Sequence, residues 1–242
     1  MDFNDTPEEA TFRTEARTFL SANATLKAGA RPTLRLGGMD AAGVKQAKEW
    51  QAKKAAAGMV GLTWPKKFGG REASPILQVI YNQEEEDFTV PRGLFEIGLG
   101  MCIPTMMAYA KPEQLDRYVP PALRGEEVWC QLFSEPAGGS DLAALRTRAE
   151  RDGDDWVING QKIWTSGARL SDFGIIVVRT DPNKPKHEGL TFFFLDMKSP
   201  GIDIRPIHQA SGARISTKSF SPAFGCPTHS GLVRSGRGGR CR

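Results

Sequence analysis

The spacing of apolar residues changes near Glu127, and this change constrains the fold of the 242-residue chain more than any other feature. Before it, apolar residues such as Phe12, Ala16 and Leu20 recur at helical spacing. From Val128 onward, β-branched and aromatic residues cluster in short runs that are separated by turn residues. Because no helix-length segment lies between these runs, the sheet should be mainly antiparallel. The sequence therefore predicts an α+β protein, with an all-helical N-terminal domain followed by an antiparallel β-barrel or β-sandwich.

Helices and strands can be placed from the same pattern. Helices are predicted at about residues 6–20, 40–57, 74–87, 97–110 and 113–119. The last of them should end at Pro120 and Pro121, because proline lacks the N–H that an inner helical turn requires. Strands are predicted at Val128–Phe133, Leu145–Arg151, Trp156–Asn159, Phe173–Thr180, Thr191–Asp196 and Ile202–Pro206. The tripeptide Asp152-Gly153-Asp154 predicts a hairpin between the second and third strands.

The basic residues are concentrated at the C-terminal end of the sequence. No Asp or Glu follows Asp203, whereas residues 204–242 contain seven Arg and Lys side chains. The preceding residues hold 25 basic and 28 acidic side chains, a net charge of −3, which argues against a body that binds nucleic acid. From about Ala213 the composition is rich in Ser, Gly and Arg, which is typical of disorder. We therefore expect a helical domain at 1–126, a β-domain at 127–213 and a disordered tail at 214–242.

Membrane, secretion and metal signals are not found in the sequence. No apolar run reaches the roughly 18 residues of a membrane-spanning helix, and the acidic N-terminus does not resemble a secretory signal, so a cytoplasmic protein is expected. The four cysteines and three histidines lack metal-ligand spacing, and Cys102 and Cys130 are expected to be free, buried thiols. Gly98-Leu99-Gly100 resembles the start of a dinucleotide fingerprint, but Ile103 stands where its third glycine belongs.

The segment Gln131–Asp141 (QLFSEPAGGSD) is the first candidate binding site. It leaves a predicted strand and enters a loop with two adjacent glycines, Gly138 and Gly139. Small residues let backbone N–H groups approach a ligand closely, and Ser134 and Ser140 add hydroxyl groups. Such a loop suits a planar hydrogen-bonding ligand or a phosphate, although an ordinary surface turn has the same composition.

The segment Gly160–Gly167 (GQKIWTSG) is the second candidate. Trp164 offers a large aromatic face, and the hydroxyl residues Thr165 and Ser166 follow it. This combination can stack on a ring system and hydrogen-bond to its edge, whereas a tryptophan taken alone is more often a core residue. Since one predicted hairpin joins the two segments, both could line a single site.

The two segments together resemble the acyl-CoA dehydrogenase family. FSEPAGGSD at Phe133–Asp141 is similar to the family signature T-E-P-x-A-G-S-D, and NGQKIWTSGA at Asn159–Ala168 is similar to its later G-x-K-x-W-I-T-N-G segment. Residues 61–70 and 187–202 also resemble parts of the family, so the resemblance covers about residues 1–213.

The departures from the family pattern are small. Ser134 stands where threonine is usual and keeps the hydroxyl group, and Ala137-Gly138-Gly139 stands where Gly-Ala-Gly is common. Thr165-Ser166 stands where Ile-Thr is common, a variant that resembles actinobacterial members acting on varied thioesters. The identity of the substrate therefore stays open.

The resemblance implies a fold and a cofactor. The family has an N-terminal helical domain, a middle β-domain and a C-terminal four-helix bundle, with FAD between the last two. The implied flavin contacts are Gln131, Leu132, Phe133, Ser134, Gly139, Ser140, Trp164, Thr165 and Ser166. Ser134 is expected to bond the ring edge, Trp164 to pack beside the ring and Ser166 to face the reactive flavin nitrogen. Ser140 is also expected to contact the phosphate-bearing arm of the substrate.

The implied activity is FAD-dependent α,β-dehydrogenation of an acyl-CoA thioester. An electron-transfer flavoprotein is the implied electron acceptor, and a homo- or hetero-oligomer is implied for a complete protein. The family's catalytic glutamate lies in the C-terminal bundle, which has no counterpart in this sequence, so we assign no catalytic residue and expect a truncated, inactive chain. Glu135 resembles a structural residue of the motif, and Glu84, Glu85 and Glu86 are expected to form a solvated helix face.

Other functions fit the same residues. One alternative is another flavoenzyme on the same fold, of the monooxygenase or nitroalkane oxidase type. A second is a non-catalytic subunit that binds flavin or a partner chain.

The tail also permits a hypothesis about the reading frame. Residues 215–221 back-translate to codons whose shifted frame reads Phe-Asn-Glu-Val-Phe-Phe, which resembles the family at this point. We therefore hypothesise a frameshift near Ala213–Ile215, in the gene or in its sequencing, with the tail as its out-of-frame product.

Overall fold

The chain forms two compact units in the computed structural model, which describes residues 4–28, 39–153, 155–208, 214–220, 225–227 and 232–235. The first unit contains residues 4–28, 40–93 and 123–126. The second contains residue 39, residues 94–122 and the described residues from 127 onward.

The first unit is built from three helices, α1 (Pro7–Asn23), α2 (Ala41–Ala56) and α3 (Pro75–Glu86). Two short strands, β1 (Thr25–Leu26) and β2 (Phe88–Thr89), pair antiparallel. Two of the helices begin next to side-chain caps, close to the predicted starts at residues 6 and 40. The Thr6 side chain accepts a hydrogen bond from the Glu9 backbone, and the Asp40 side chain accepts one from that of Gly43. The buried core consists of Phe12, Ala16, Leu20, Trp50, Met59, Leu62, Leu77, Ile80, Tyr81 and Phe88.

The acidic run on α3 is only partly a solvated face. Glu86 is exposed, but Glu84 is 7% exposed. The Glu84 carboxylate accepts hydrogen bonds from Arg13 at 2.9 Å and from Arg17 at 2.7 Å. The prediction is therefore wrong for Glu84, because α1 packs on α3 and brings two guanidinium groups to its carboxylate.

A helical segment precedes the large sheet. A π-helical turn at Gly98–Cys102 leads into α4 (Ile103–Tyr109), and α5 (Pro112–Leu123) follows. The chain therefore forms helix, and no phosphate-binding turn, at Gly98-Leu99-Gly100. The helix α5 also continues through its two prolines, contrary to the prediction. Its last turn buries Val119 and Ala122, and this packing outweighs the ~3 kcal/mol by which an inner proline disfavours a helix.

In the second unit, nine of the described strands form one sheet. Its strands are β3 (Trp129–Leu132), β4 (Arg148–Asp152), β5 (Asp155–Thr165), β6 (Phe173–Arg179), β7 (Leu190–Asp196), β8 (Ile202–His208), β9 (Arg214–Phe220), β10 (Gly225–Pro227) and β11 (Leu232–Ser235). The strand order is β11-β7-β6-β4-β5-β9-β8, with β10 beside β5 and β3 beside β6. Only β3–β6 and the single pair between β4 and β6 are parallel, so the sheet is mainly antiparallel, as predicted. The order ends at β11 and β8, and no closed barrel is found among the described strands.

The segment 214–242 was predicted to be disordered, but its described residues form strands. The backbone of β9 pairs with β5 and β8, β10 pairs with β5, and β11 pairs with β7. These residues therefore have regular structure, which the low apolar content of the tail does not reveal. The rest of the segment 214–242 lies outside the described residues, and the frameshift hypothesis stays a prediction.

The helical segment at 94–122 packs against the sheet. The ring of Tyr118 lies 5.4 Å from that of Trp129 and 5.2 Å from that of Phe173, edge to face in both cases. The Cys102 thiol donates to the Cys130 carbonyl oxygen at 3.5 Å, and both cysteines are buried and outside any disulfide. The compact units therefore divide the chain differently from the proposed domain boundary at 126/127.

Neither a membrane-spanning helix nor a metal-ligand cluster is found among the described residues. Among the described helices, none is long and apolar enough to cross a membrane. No group of three or more His, Cys, Asp or Glu side chains that could hold a metal ion occurs in the same part of the chain.

Candidate functional site

The two candidate segments lie side by side in the second unit. The Ile163 N–H donates to the Ser134 carbonyl oxygen at 2.8 Å, which joins the end of β5 to the loop after β3. The strand β5 runs to Thr165, well beyond the predicted run, and its pairing with β9 contains a bulge between Lys162 and Thr165. Bulges re-aim side chains, and Trp164 lies within this one.

The first segment forms a tight turn with an open face. The Glu135 N–H donates to the Gly138 carbonyl at 2.8 Å, and the Gly138 N–H donates back to the Glu135 carbonyl at 3.0 Å. A Cβ added at Gly139 would lie 3.7 Å from the Ser134 hydroxyl oxygen, so a side chain there would occupy the space in front of this hydroxyl. Gly139 and Ser140 are exposed, and their backbone and hydroxyl groups are available to a ligand.

The second segment presents an exposed tryptophan on a strained backbone. Trp164 has φ +59° and is 53% exposed, so it is not a core residue. A left-handed conformation of a bulky residue costs about 1–3 kcal/mol and is retained where the surrounding structure fixes it. The Thr165 side chain is 1% exposed and, among the described residues, its hydroxyl oxygen has no hydrogen-bond partner. Ser166 is exposed next to it.

The side chains of the remaining predicted residues on β3 are buried or half-buried. Leu132 is fully buried in the sheet core, and the ring of Phe133 packs edge to face on that of Phe192 at 5.5 Å. Gln131 is half-buried on β3. The structure thus brings the predicted residues together, but the side chains of Leu132 and Thr165 point into the protein.

A buried ion pair lies beneath both segments. Lys162 is 0% exposed, and its ammonium group donates to the Glu135 carboxylate at 2.9 Å and to the Phe133 carbonyl at 3.0 Å. The other Glu135 contacts are backbone N–H groups, of Arg146 at 2.6 Å and of Thr147 at 2.9 Å. Glu135 therefore accepts three hydrogen bonds.

The charges of this pair follow from its surroundings. Burial acts to raise the pKa of Glu135, but hydrogen bonds from Thr147, Arg146 and Lys162 outweigh it, and the pKa lies below its usual value. Burial lowers the pKa of Lys162, and the carboxylate opposes this shift. A buried carboxylate with three hydrogen-bond donors and a lowered pKa is a weak base, which argues against proton abstraction by Glu135.

Sequence reasoning missed Lys162. A signal for it exists, because side chains alternate along a strand and Ile158, four residues earlier, is fully buried. Lys162 therefore lies on the core face of β5, where a lysine needs a partner. A second ion pair was also not predicted. Lys186, between β6 and β7, pairs with Asp141 at the end of the first segment, at 2.5 Å.

Two models of one family match nearly the whole chain. The N-terminal domain of acyl-CoA dehydrogenases matches residues 6–126, and the middle domain matches residues 130–221. The chain belongs to the acyl-CoA dehydrogenase family. The match to the middle domain covers both candidate segments and extends into β9, beyond the 213 residues over which the resemblance was recognised.

Individual relatives agree with this assignment. Acyl-CoA dehydrogenase FadE34 of Mycobacterium tuberculosis is 42% identical over 193 residues, which are 80% of this chain and 27% of the relative. Acyl-CoA dehydrogenase IpdE1 of the same organism is 37% identical over 88% of this chain and 54% of its own length. The chain thus spans about half or less of the length of these curated relatives.

Solved structures are also similar to this chain. The Mycobacterium tuberculosis ChsE4-ChsE5 complex superposes with a TM-score of 0.78 at 29% identity, over 98% of this chain and 59% of that one. The Tcur3481-Tcur3483 steroid acyl-CoA dehydrogenase superposes with a TM-score of 0.77 at 28% identity, over 97% of this chain and 59% of that one.

Proposed function

We propose that the second unit binds the isoalloxazine ring of FAD, and that the protein dehydrogenates an acyl-CoA thioester between its α and β carbons. The observation that carries this proposal is the hydrogen bond from the Ile163 N–H to the Ser134 carbonyl, which places an exposed hydroxyl-bearing loop beside the exposed Trp164. This pairing of a planar apolar face with hydrogen-bonding groups suits a flavin.

The residues present fit this cofactor. The open space in front of Ser134, which a Cβ at Gly139 would fill, suits the approach of a ring edge. In the proposed site Gln131, Leu132 and Phe133 contribute backbone groups, Ser134 its hydroxyl, and Gly139 and Ser140 the exposed turn. Trp164 packs beside the ring, Thr165 contributes its backbone, and Ser166 faces the reactive nitrogen.

The chemistry explains why such a site is needed. The α-proton of a thioester is weakly acidic, so hydrogen bonds to the carbonyl must stabilise the developing enolate. Bound FAD supplies the acceptor for the β-hydride. The residues of this chain bind and orient the ring. Three hydrogen bonds to its carboxylate and a lowered pKa make Glu135 a weak base, so no proton abstraction is assigned to it.

The substrate and the partners are part of the proposal. Ser140 is exposed at the edge of the site and is proposed to contact the phosphate-bearing arm of the thioester. A structural relative is described as a steroid acyl-CoA dehydrogenase, which favours an acyl group that carries a ring system. Another is described as a complex of two proteins, which favours assembly with a partner chain. An electron-transfer flavoprotein is the proposed electron acceptor.

Titration of the chain with FAD tests the first half of the proposal. Binding is followed by the fluorescence of the flavin and of tryptophan, since Trp164 beside the ring should be quenched. Ser134→Ala removes one neutral hydrogen bond, so the Kd should rise roughly 2- to 10-fold. Ser199→Ala, in the turn after β7, is the matched control and should leave the Kd unchanged. A chain that binds no FAD, or two variants with equal Kd, would contradict the proposed site.

Anaerobic addition of substrate tests the second half. A complete protein should lose its visible flavin absorption when a suitable acyl-CoA is added, with steroid and fatty acyl thioesters compared in parallel. Bleaching by a nitroalkane, or by a reduced nicotinamide and not by any acyl-CoA, would favour the alternative flavoenzymes. Bleaching by acyl-CoA only after a second chain is added would favour the subunit interpretation.

A further inference from the structure

Stability of the sheet alone does not require the buried ion pair between Lys162 and Glu135. A lysine is rarely buried completely, and replacement of a buried ion pair by apolar residues of similar volume is often neutral or stabilising. Here the ammonium group is 0% exposed and binds both the Glu135 carboxylate and the Phe133 carbonyl. Both acceptors belong to the first candidate segment, whereas Lys162 belongs to the second.

The contacts of this pair converge on three pieces of chain. Glu135 reaches forward to the backbone N–H groups of Arg146 and Thr147, at the start of β4. Lys162 reaches across to the residues on both sides of Ser134. Ser134 is therefore held by its own carbonyl and by both neighbours, so its position relative to β5 is fixed.

The same contacts lie immediately before the strained residue. Trp164 follows Lys162 and Ile163, and both of these are bonded to the loop at 133–135. A residue with φ +59° is retained only where the surrounding structure fixes its backbone. The bulge between Lys162 and Thr165 supplies no regular pairing at Trp164 itself, so its neighbours on both sides hold its backbone. Thr165 pairs with Ser216 after it, and Lys162 and Ile163 are bonded to the loop before it.

We propose that Glu135 and Lys162 are positioning residues, which hold Ser134 and the strained, exposed Trp164 in the relative arrangement that a flavin ring requires. This inference rests on the proposed flavin site. Neither residue touches the ring. Their effect passes through the Phe133 and Ser134 backbone on one side and the Ile163 backbone on the other.

A fluorine probe on tryptophan tests the positioning without a cofactor. The chain is labelled with 5-fluorotryptophan, and the Trp164 resonance is assigned with Trp164→Phe. In Lys162→Met the Trp164 resonance should shift by more than its linewidth, while those of Trp129 and Trp156 in the same unit stay in place. Lys198→Met is the matched control, since Lys198 is 75% exposed and pairs with Asp172 at 2.8 Å on the surface of this unit.

A double variant separates positioning from stability. Lys162→Met alone leaves the Glu135 carboxylate buried without its cation and can unfold the unit. Glu135→Gln/Lys162→Met removes both charges and keeps an acceptor for one of the two backbone N–H groups of Arg146 and Thr147, so the unit should be more stable than in Lys162→Met. The Trp164 resonance should remain displaced, because the Phe133 carbonyl still lacks its donor. A double variant in which this resonance returns to its original position would show that the pair is merely structural.

Flavin affinity gives the functional readout. In the double variant the Kd for FAD should rise about tenfold or more, while the control variant keeps the original Kd. If the unaltered chain binds FAD and the double variant binds it equally well, the positioning role is overturned and the proposed function stands. If the unaltered chain binds no FAD, the proposed function fails, and the Trp164 resonance still decides whether the pair positions this residue.

Discussion

Gly160→Ala should strongly destabilise the second unit, because there is no room for a methyl group at this position. A Cβ on Gly160 would lie 2.4 Å from the Thr147 hydroxyl oxygen and 2.7 Å from the Thr147 Cα, whereas real Cβ contacts essentially never fall below 3.0 Å. The closest atoms belong to a β-branched residue and its backbone, so they cannot rotate away.

The magnitude follows from two contributions. Overpacking of this kind costs ~1–3 kcal/mol. The backbone contributes a second penalty of ~1–3 kcal/mol, because φ +153° at Gly160 lies in a region that is essentially restricted to glycine. Together they reduce the free energy of unfolding by about 4 kcal/mol, equivalent to a fall in Tm of roughly 10 °C for a protein of this size.

Denaturant unfolding followed by tryptophan fluorescence measures this change. Gly153→Ala is the control, since Gly153 lies in the same hairpin with φ +59° and nothing lies within 4 Å of its added Cβ. It carries only the backbone penalty, about 1 kcal/mol. The packing argument is refuted if Gly160→Ala is no less stable than Gly153→Ala.

Three further predictions follow from the same structure. Glu84→Gln should reduce the free energy of unfolding of the first unit by about 1–2 kcal/mol in denaturant unfolding. This value is lower than for a fully buried pair, because Arg13 and Arg17 are 31% and 48% exposed. An unchanged denaturation midpoint would show that these ion pairs do not stabilise the unit. The pKa of Glu135 lies below its ordinary value of 4.5. The ionised carboxylate therefore contributes its full stabilisation above pH 4.5, and this stabilisation is lost as the pH falls through the lower folded-state pKa. The free energy of unfolding, measured against pH, should fall in acid, and it should fall less in Glu135→Gln. Trp164→Asn places a residue that tolerates positive φ at a strained site. The free energy of unfolding should therefore stay within about 1 kcal/mol of its original value, while the affinity for FAD falls. A large loss of stability together with the loss of affinity would argue that Trp164 serves the fold rather than the ligand.

Local physics allowed much of the framework to be predicted. The helix starts near residues 6 and 40, and the hairpin at Gly153, depend on residues within a few positions of one another, so the sequence alone locates them. The strands follow from runs of β-branched and aromatic residues, and the two candidate segments were recognised because glycines, hydroxyl groups and a tryptophan occur close together along the chain.

The local rules failed where distant contacts decided the outcome. The prolines at 120 and 121 should have ended α5, but the burial of Val119 and Ala122 keeps the last turn helical. Glu84 should have been solvated, but α1 brings two arginines to its carboxylate. In both cases the deciding partner cannot be identified from the neighbouring sequence.

The sequence by itself determined the class of the chain, its main helices, the strands β3 to β8, and the two segments that carry the chemistry, because each depends on short-range spacing. The described strands of the tail, β9 to β11, were not predicted. Only the tertiary structure decided how those segments meet. It exposes Trp164 on a strained backbone and buries Lys162 beneath it, opposite a carboxylate 27 residues away. The reason is that burial and ion pairing depend on which strands lie together, and this is settled by the packing of the whole sheet.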